Sequence, residues 1–136
     1  MQTKLRAIGL VASLLLIAPM FAGQAKAKYI GIASWYGKKH QGRKMANGQK
    51  FDRSKLTAAS WYFPLGTLIR VVNVKSQESV VVTITDRGPN IRLHRVLDLS
   101  EAAAERLGYI EQGTTHVFLY PIRTFETGAA IFEEAK

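Results

Sequence analysis

Hydrophobic positions after residue 28 fall into short β-rich runs broken by turn residues, and one segment carries a helical signature. Tyr29–Tyr36 is the first β-rich run and closes at Gly37. Leu68–Val74 and Ser79–Thr85 are separated by Lys75-Ser76-Gln77-Glu78, which predicts a hairpin with a four-residue loop. Arg95–Leu99 and Thr115–Tyr120 complete the set, the last stopped by Pro121. Between the first two runs, Asn47-Gly48 and Pro64-Leu65-Gly66 mark turns.

The helix is predicted at Glu101–Leu107. Ser100 can accept amides of the first turn, Glu101 and Arg106 complement the dipole, and Gly108 can adopt the left-handed C′ conformation. Ala102, Ala103 and Ala104 have high helix propensity and allow close packing on a sheet. Several short strands around one helix point to a small barrel rather than a doubly wound parallel sheet.

Residues 1–27 have a different pattern. Lys4 and Arg6 precede an apolar stretch from Ala7 to Ala22, and Ala25-Lys26-Ala27 follows with small-x-small spacing. These are the three parts of a secretory signal peptide, with cleavage expected after Ala27. The competing reading is a retained anchor, but the stretch is shorter than the roughly 20 residues of a comfortable span.

Composition then narrows the chemistry. A chain of 136 residues with 47% hydrophobic residues fits one small domain and excludes a dinucleotide fold joined to a substrate domain. With no cysteine, disulfides, thiolate metal sites, a Cys nucleophile and lipid attachment through an N-terminal Cys are excluded. The net charge of +9 suggests a polyanionic partner. Loss of Lys4, Arg6 and Lys26 with the leader would leave 16 basic against 10 acidic side chains, or +6. In an exported protein that charge favours wall polymers, lipid head groups or glycans over nucleic acid. Lys38, Lys39, Arg43 and Lys44 form the densest basic cluster, readable as a binding patch or a solvated loop.

Val80, Val82, Ile84 and Asp86 share one strand face, so Asp86 is expected to continue a core-facing register. A carboxylate there needs a partner, hydrogen bonds or a proton. Before the Gly88-Pro89 turn it can serve as a general acid or as an acceptor of turn amides, and both readings stay open. Asp98, inside Val96-Leu97-Asp98-Leu99 and just before the helix, is read as structural. Asp52 could share a groove with Asp86 if the long loop folds over the barrel. His40, His94 and His116 lack metal-ligand spacing, and Ser34, Ser60 and Ser100 lack a nucleophile elbow, so no metal and no serine hydrolysis are expected. Trp35-Tyr36 and Trp61-Tyr62-Phe63 flank the loop carrying Asn47, Gly48 and Asp52, which suits either core packing or a glycan groove.

Ala33-Ser34-Trp35-Tyr36-Gly37, Ala46-Asn47-Gly48-Gln49-Lys50-Phe51-Asp52, Leu65-Gly66-Thr67, Asp86-Arg87-Gly88-Pro89 and Val96-Leu97-Asp98-Leu99-Ser100 occur in order, followed by Ala102-Ala103-Ala104 and Leu107-Gly108. This ordered set, from Tyr29 to Pro121, resembles the RlpA (rare lipoprotein A) family. The resemblance implies a mostly β domain at 28–122, a six-stranded double-psi β-barrel with one short helix, between the signal peptide and a tail at 123–136. It also implies endolytic lytic transglycosylase activity on peptidoglycan glycan strands stripped of stem peptides, with 1,6-anhydromuramyl products and no cofactor. By the same resemblance Asp86 is catalytic, with Asp52 assisting. Gln49 and Ser60 stand where active members typically carry Glu and His. They join Asn47, Trp35, Tyr36, Trp61 and Arg87 as expected substrate contacts. The two exchanges keep open the alternative of a non-catalytic, expansin-like barrel that binds or loosens the wall. A secreted effector of another protein is a third reading.

Lipid-anchored members carry a Cys after the signal, so its absence leads us to expect a soluble exported protein in the periplasm or cell wall, without a stable membrane anchor; a monomer is expected. The 16 residues after Tyr120 are too few for the SPOR module of many members.

Overall fold

The computed structural model describes residues 29–123, so the expected leader and most of the expected tail lie outside the described residues. Six strands and one helix run in the order β1 (Tyr29–Tyr36), β2 (Thr57–Ala59), β3 (Leu68–Asn73), β4 (Ser79–Asp86), β5 (Leu97–Ser100), α1 (Glu101–Leu107) and β6 (Thr114–Arg123). The strands close into a barrel in the order β1-β5-β2-β4-β3-β6. β1 pairs parallel with β5 and β2 parallel with β4, while the other four pairings are antiparallel.

Alternation places the core. On β4, Val80, Val82 and Ile84 are buried, and on β3 Ile69 and Val71 are fully enclosed. Leu97, Leu99, Val117 and Leu119 join them from β5 and β6. Burial of each such side chain stabilises the fold by about 1.5–3 kcal/mol relative to exposure. The helix buries Ala103, Ala104 and Leu107 against this cluster. Its ends are as the residues predict: Ser100 Oγ accepts the Ala103 amide, and Gly108 is left-handed at φ 73°.

Two features depart from the sequence pattern. β2 is only Thr-Ala-Ala, buried at all three positions, and it carries no alternation to betray it. β6 does not stop at Pro121; it continues to Arg123, with Pro121 opposite Ile69 where the β3–β6 register shifts. A proline at a bulge can be accommodated because its missing N–H falls where the ladder is already irregular.

The far side of α1 is tied to β1. Tyr109 Oη donates to Ser34 O at 2.8 Å and Trp35 Nε1 donates to Ile110 O at 3.2 Å. These bonds fix the last residues of β1, which form one wall of the site.

Candidate active site

At the end of β4 the ladder slips. Ala58 opposes Ile84 and Ala59 opposes Asp86, so Thr85 is the additional residue of a bulge. Thr85 turns inward and its hydroxyl meets Met45 Sδ at 3.3 Å. Asp86 therefore does not extend the sealed face of β4, as simple alternation suggested; it is half-buried and opens into a cleft of about 600 Å³. Ser34, Trp35 and Tyr36 of β1, Lys38, Lys39 and His40 of the following 3₁₀ turn, Arg95 and Asp98 also line this cleft.

The Asp86 carboxylate is positioned by two amides. Its Oδ1 accepts from Ala46 N and Arg87 N, each at 2.8 Å. Ala46 belongs to a hairpin-like loop in which Lys44 bridges Lys50, with Gly48 at φ 87° at the turn. Asn47 N donates to Thr85 O at 3.1 Å, so this loop is pinned beside the bulge. The Asn-Gly motif thus serves Asp86 through its main chain.

Asp98 enters the same cleft from β5. Its Oδ1 accepts from the Ser34 hydroxyl, and its Oδ2 lies close enough to Gly88 that an added Cβ would stand 3.9 Å away. Tyr36 lies near both acids. Burial first, then the negative charges of Asp86 and Asp98, raise its phenol above the ordinary tyrosine value, so its hydroxyl remains protonated. That hydroxyl is buried without a hydrogen-bond partner, while its ring packs on Phe51 at 4.5 Å and on His40 at 5.2 Å.

Other expected site residues are distributed differently. Asp52 is outside the cleft: its Oδ1 accepts from Ser54 N at 2.9 Å and Ser54 Oγ at 2.7 Å. Those bonds, then the cations Lys55 and Arg53, hold its carboxyl below the usual aspartate value. Ser60 is fully enclosed; its hydroxyl donates to Val96 O and accepts from Tyr62 N, both at 3.1 Å. Gln49 is exposed on the loop, where its Oε1 accepts from Asn47 Nδ2 at 3.3 Å. Arg87 lines the cleft but spends Nη1 on Ser60 O and Phe63 O, at 2.8 and 2.7 Å.

The two tryptophans occupy separate depressions that meet at Arg87. Trp35 is in the acidic cleft, whereas Trp61 lines a neighbouring hollow of about 590 Å³ with Gly88, Pro89 and Ile91. Trp61 Nε1 donates to Pro89 O at 2.7 Å, leaving the indole half exposed as an apolar platform. Tyr62 lines neither hollow.

The site thus joins Asp86 with Asp98, the acid read from sequence as structural, and not with Asp52. Two carboxyl groups beside aromatic faces suit acid–base chemistry. Among the described residues, no group of three or more acidic or histidine side chains is placed to hold a metal ion, and no helix is long and apolar enough to cross a membrane.

Residues 28–119 match the family model described as lytic transglycolase. The chain is 45% identical over 87 residues to the endolytic peptidoglycan transglycosylase RlpA of Neisseria meningitidis, covering 64% of this chain and 36% of that protein. It is 47% identical over 90 residues to the protein of the same name from Pseudomonas aeruginosa, covering 66% and 26% respectively. The chain therefore matches between about a quarter and just over a third of the length of these relatives. Among solved structures it is similar to an expansin of Clavibacter michiganensis, with TM-score 0.53, 26% identity and coverage of 69% of this chain and 50% of that one. A Streptomyces papain inhibitor shares the fold at TM-score 0.51 and 20% identity, covering 69% of this chain and 96% of the inhibitor.

Proposed function

The chain belongs to the lytic transglycolase family of double-psi β-barrels, and from that membership together with the cleft geometry we propose that it cleaves peptidoglycan glycan strands. The observation that carries this reading is the half-buried Asp86, held by two amides in a cleft shared with Asp98 and Tyr36. Protonated Asp86 gives its proton to the glycosidic oxygen between N-acetylmuramic acid and N-acetylglucosamine, and the bond from that oxygen to the muramyl C1 breaks. The muramyl C6 hydroxyl attacks C1 and returns its proton to the Asp86 carboxylate, closing the 1,6-anhydro ring. No water is consumed, and the intramolecular nucleophile supplies a high effective molarity. One carboxyl group serves as acid and then as base.

Within this proposal, Trp35 and Trp61 offer stacking faces on either side of Arg87, and Asn47 and Gln49 form the loop rim. Asp52 holds the Ser54 turn further along the same loop. The protein works outside the cytoplasm, with residues 1–27 as its export signal. It acts as a monomer.

The relevant experiment is mass spectrometry of denuded glycan strands incubated with the purified protein. Anhydromuramyl fragments appear with the wild type and are lost with Asp86→Asn. Absence of those fragments at high protein concentration and long incubation would overturn the enzymatic reading. Gln49 and Ser60, at the positions where Glu and His are expected, favour the second reading of a wall-binding barrel. That reading calls for sedimentation with insoluble peptidoglycan, weakened by Trp35→Ala or Trp61→Ala, without new chain ends.

A further inference from the structure

One wall of the Asp86 cleft is cationic and lacks internal partners. Lys38 and Lys39 are exposed on the 3₁₀ turn after β1, and Arg95 faces the same cleft from the approach to β5. Among the described residues the salt bridge formed is Arg53 to Glu101, at 3.3 Å, so none of these three cations has an acidic partner there. The cleft's own acids are otherwise engaged: Asp86 accepts the amides of Ala46 and Arg87, and Asp98 accepts the Ser34 hydroxyl.

Arg95 supplies the second observation. Its Nε is buried without a hydrogen-bond partner, as are Tyr36 Oη and His40 Nδ1 on the same cleft. An unpaired buried donor of this kind costs free energy until something accepts its hydrogen. A guanidinium is suited to the two oxygens of a carboxylate, and exposed ammonium groups beside it add attraction without fixing geometry.

We propose that Arg95, with Lys38 and Lys39, forms a carboxylate subsite that recognises the free lactyl group of a muramyl residue. This inference rests on the reading that the cleft takes peptidoglycan glycan. In an intact strand that carboxyl is an amide to the stem peptide and carries no charge; removal of the peptide exposes it. The subsite therefore tells a free lactyl carboxylate from its amide by charge.

The test measures binding of the full chain to fluorescently labelled denuded strands, and to the same strands after their carboxyls have been converted to methylamides. The wild type binds the free-carboxylate strands about tenfold more tightly, the scale of one charge-assisted contact. Arg95→Gln removes this preference by weakening the binding of the free-carboxylate strands. Arg106→Gln, on the exposed end of α1, retains it. If Arg95→Gln does not fold, the paired exposed substitutions Lys38→Gln and Lys39→Gln supply the same readout, with a partial loss expected.

Equal binding of both strands by the wild type overturns the subsite while leaving the glycan reading intact. An equal effect of Arg106→Gln shows only general charge attraction and also overturns it. Binding of neither strand removes the glycan reading itself, and the subsite with it.

Discussion

Ser34 and Asp98 are register partners on the parallel β1–β5 pair, and the Ser34 hydroxyl donates to Asp98 Oδ1. Ser34 is almost fully buried, so water does not replace that hydrogen bond easily. Ser34→Ala leaves a half-buried carboxylate short of a donor and lowers stability by about 1–3 kcal/mol. A urea titration checks this as a fall in midpoint at unchanged slope. A double variant with Asp98→Asn should lose less than the two single losses together, because the residues act on one bond.

Tyr36→Phe separates function from stability. The ring keeps its contacts with Phe51 and His40, but the unpartnered hydroxyl disappears. A buried hydroxyl without a partner is a cost to folding, so thermal stability is expected to hold or rise slightly. Under the proposed reaction, release of anhydromuramyl product from denuded strands is expected to fall, because the protonated hydroxyl close to the charges of Asp86 and Asp98 is gone.

Gly37→Ala should disturb the cleft wall. An added Cβ would stand 2.7 Å from Trp35 Cζ3, closer than real side chains approach. The indole must shift, which strains its bond to Ile110 O. The expected cost is about 1–3 kcal/mol, as for overpacking elsewhere. Tryptophan emission in a Trp61→Phe background reports the displacement, expected as a red shift.

The sequence made β1 and the helix legible because each has a strong local signature: a β-rich run closed by Gly37, and a Ser cap with a Gly terminus. β2 was not legible, since Thr57–Ala59 is held by its neighbours and has no pattern of its own. Which acid shares the cleft with Asp86 was not legible for a related reason. Asp52 and Asp98 both look like carboxylates beside turns or helices, and only the parallel β1–β5 register shows which one reaches the cleft. Arg95 carries no motif; its significance comes from a missing partner, which no spacing rule records.

Acid sensitivity should carry a contribution from Asp52. Its folded-state pKa lies below the ordinary value of 3.8, chiefly through the Ser54 amide and hydroxyl. A depressed carboxyl contributes stability above its unfolded pKa and loses it as pH falls through the folded value. Asp52→Asn retains an acceptor for Ser54 but cannot titrate. Thermal melts from about pH 5 to about pH 2 should therefore show the wild-type advantage shrinking towards acid. A constant difference across that range would contradict the assignment.

Ser60 has two possible uses for one hydroxyl, and they predict different losses. As a sugar contact it would face the groove, and its removal would weaken glycan binding at constant stability. The observed hydroxyl instead joins Val96 O to Tyr62 N at a position with 0% exposure. Ser60→Ala strands both main-chain groups, and the expected cost is about 1–3 kcal/mol. For a domain of this size that corresponds to a fall in Tm of roughly 4–8 °C per kcal/mol. Differential scanning calorimetry reads it directly. An unchanged Tm together with weakened glycan binding would return Ser60 to the substrate side of the site.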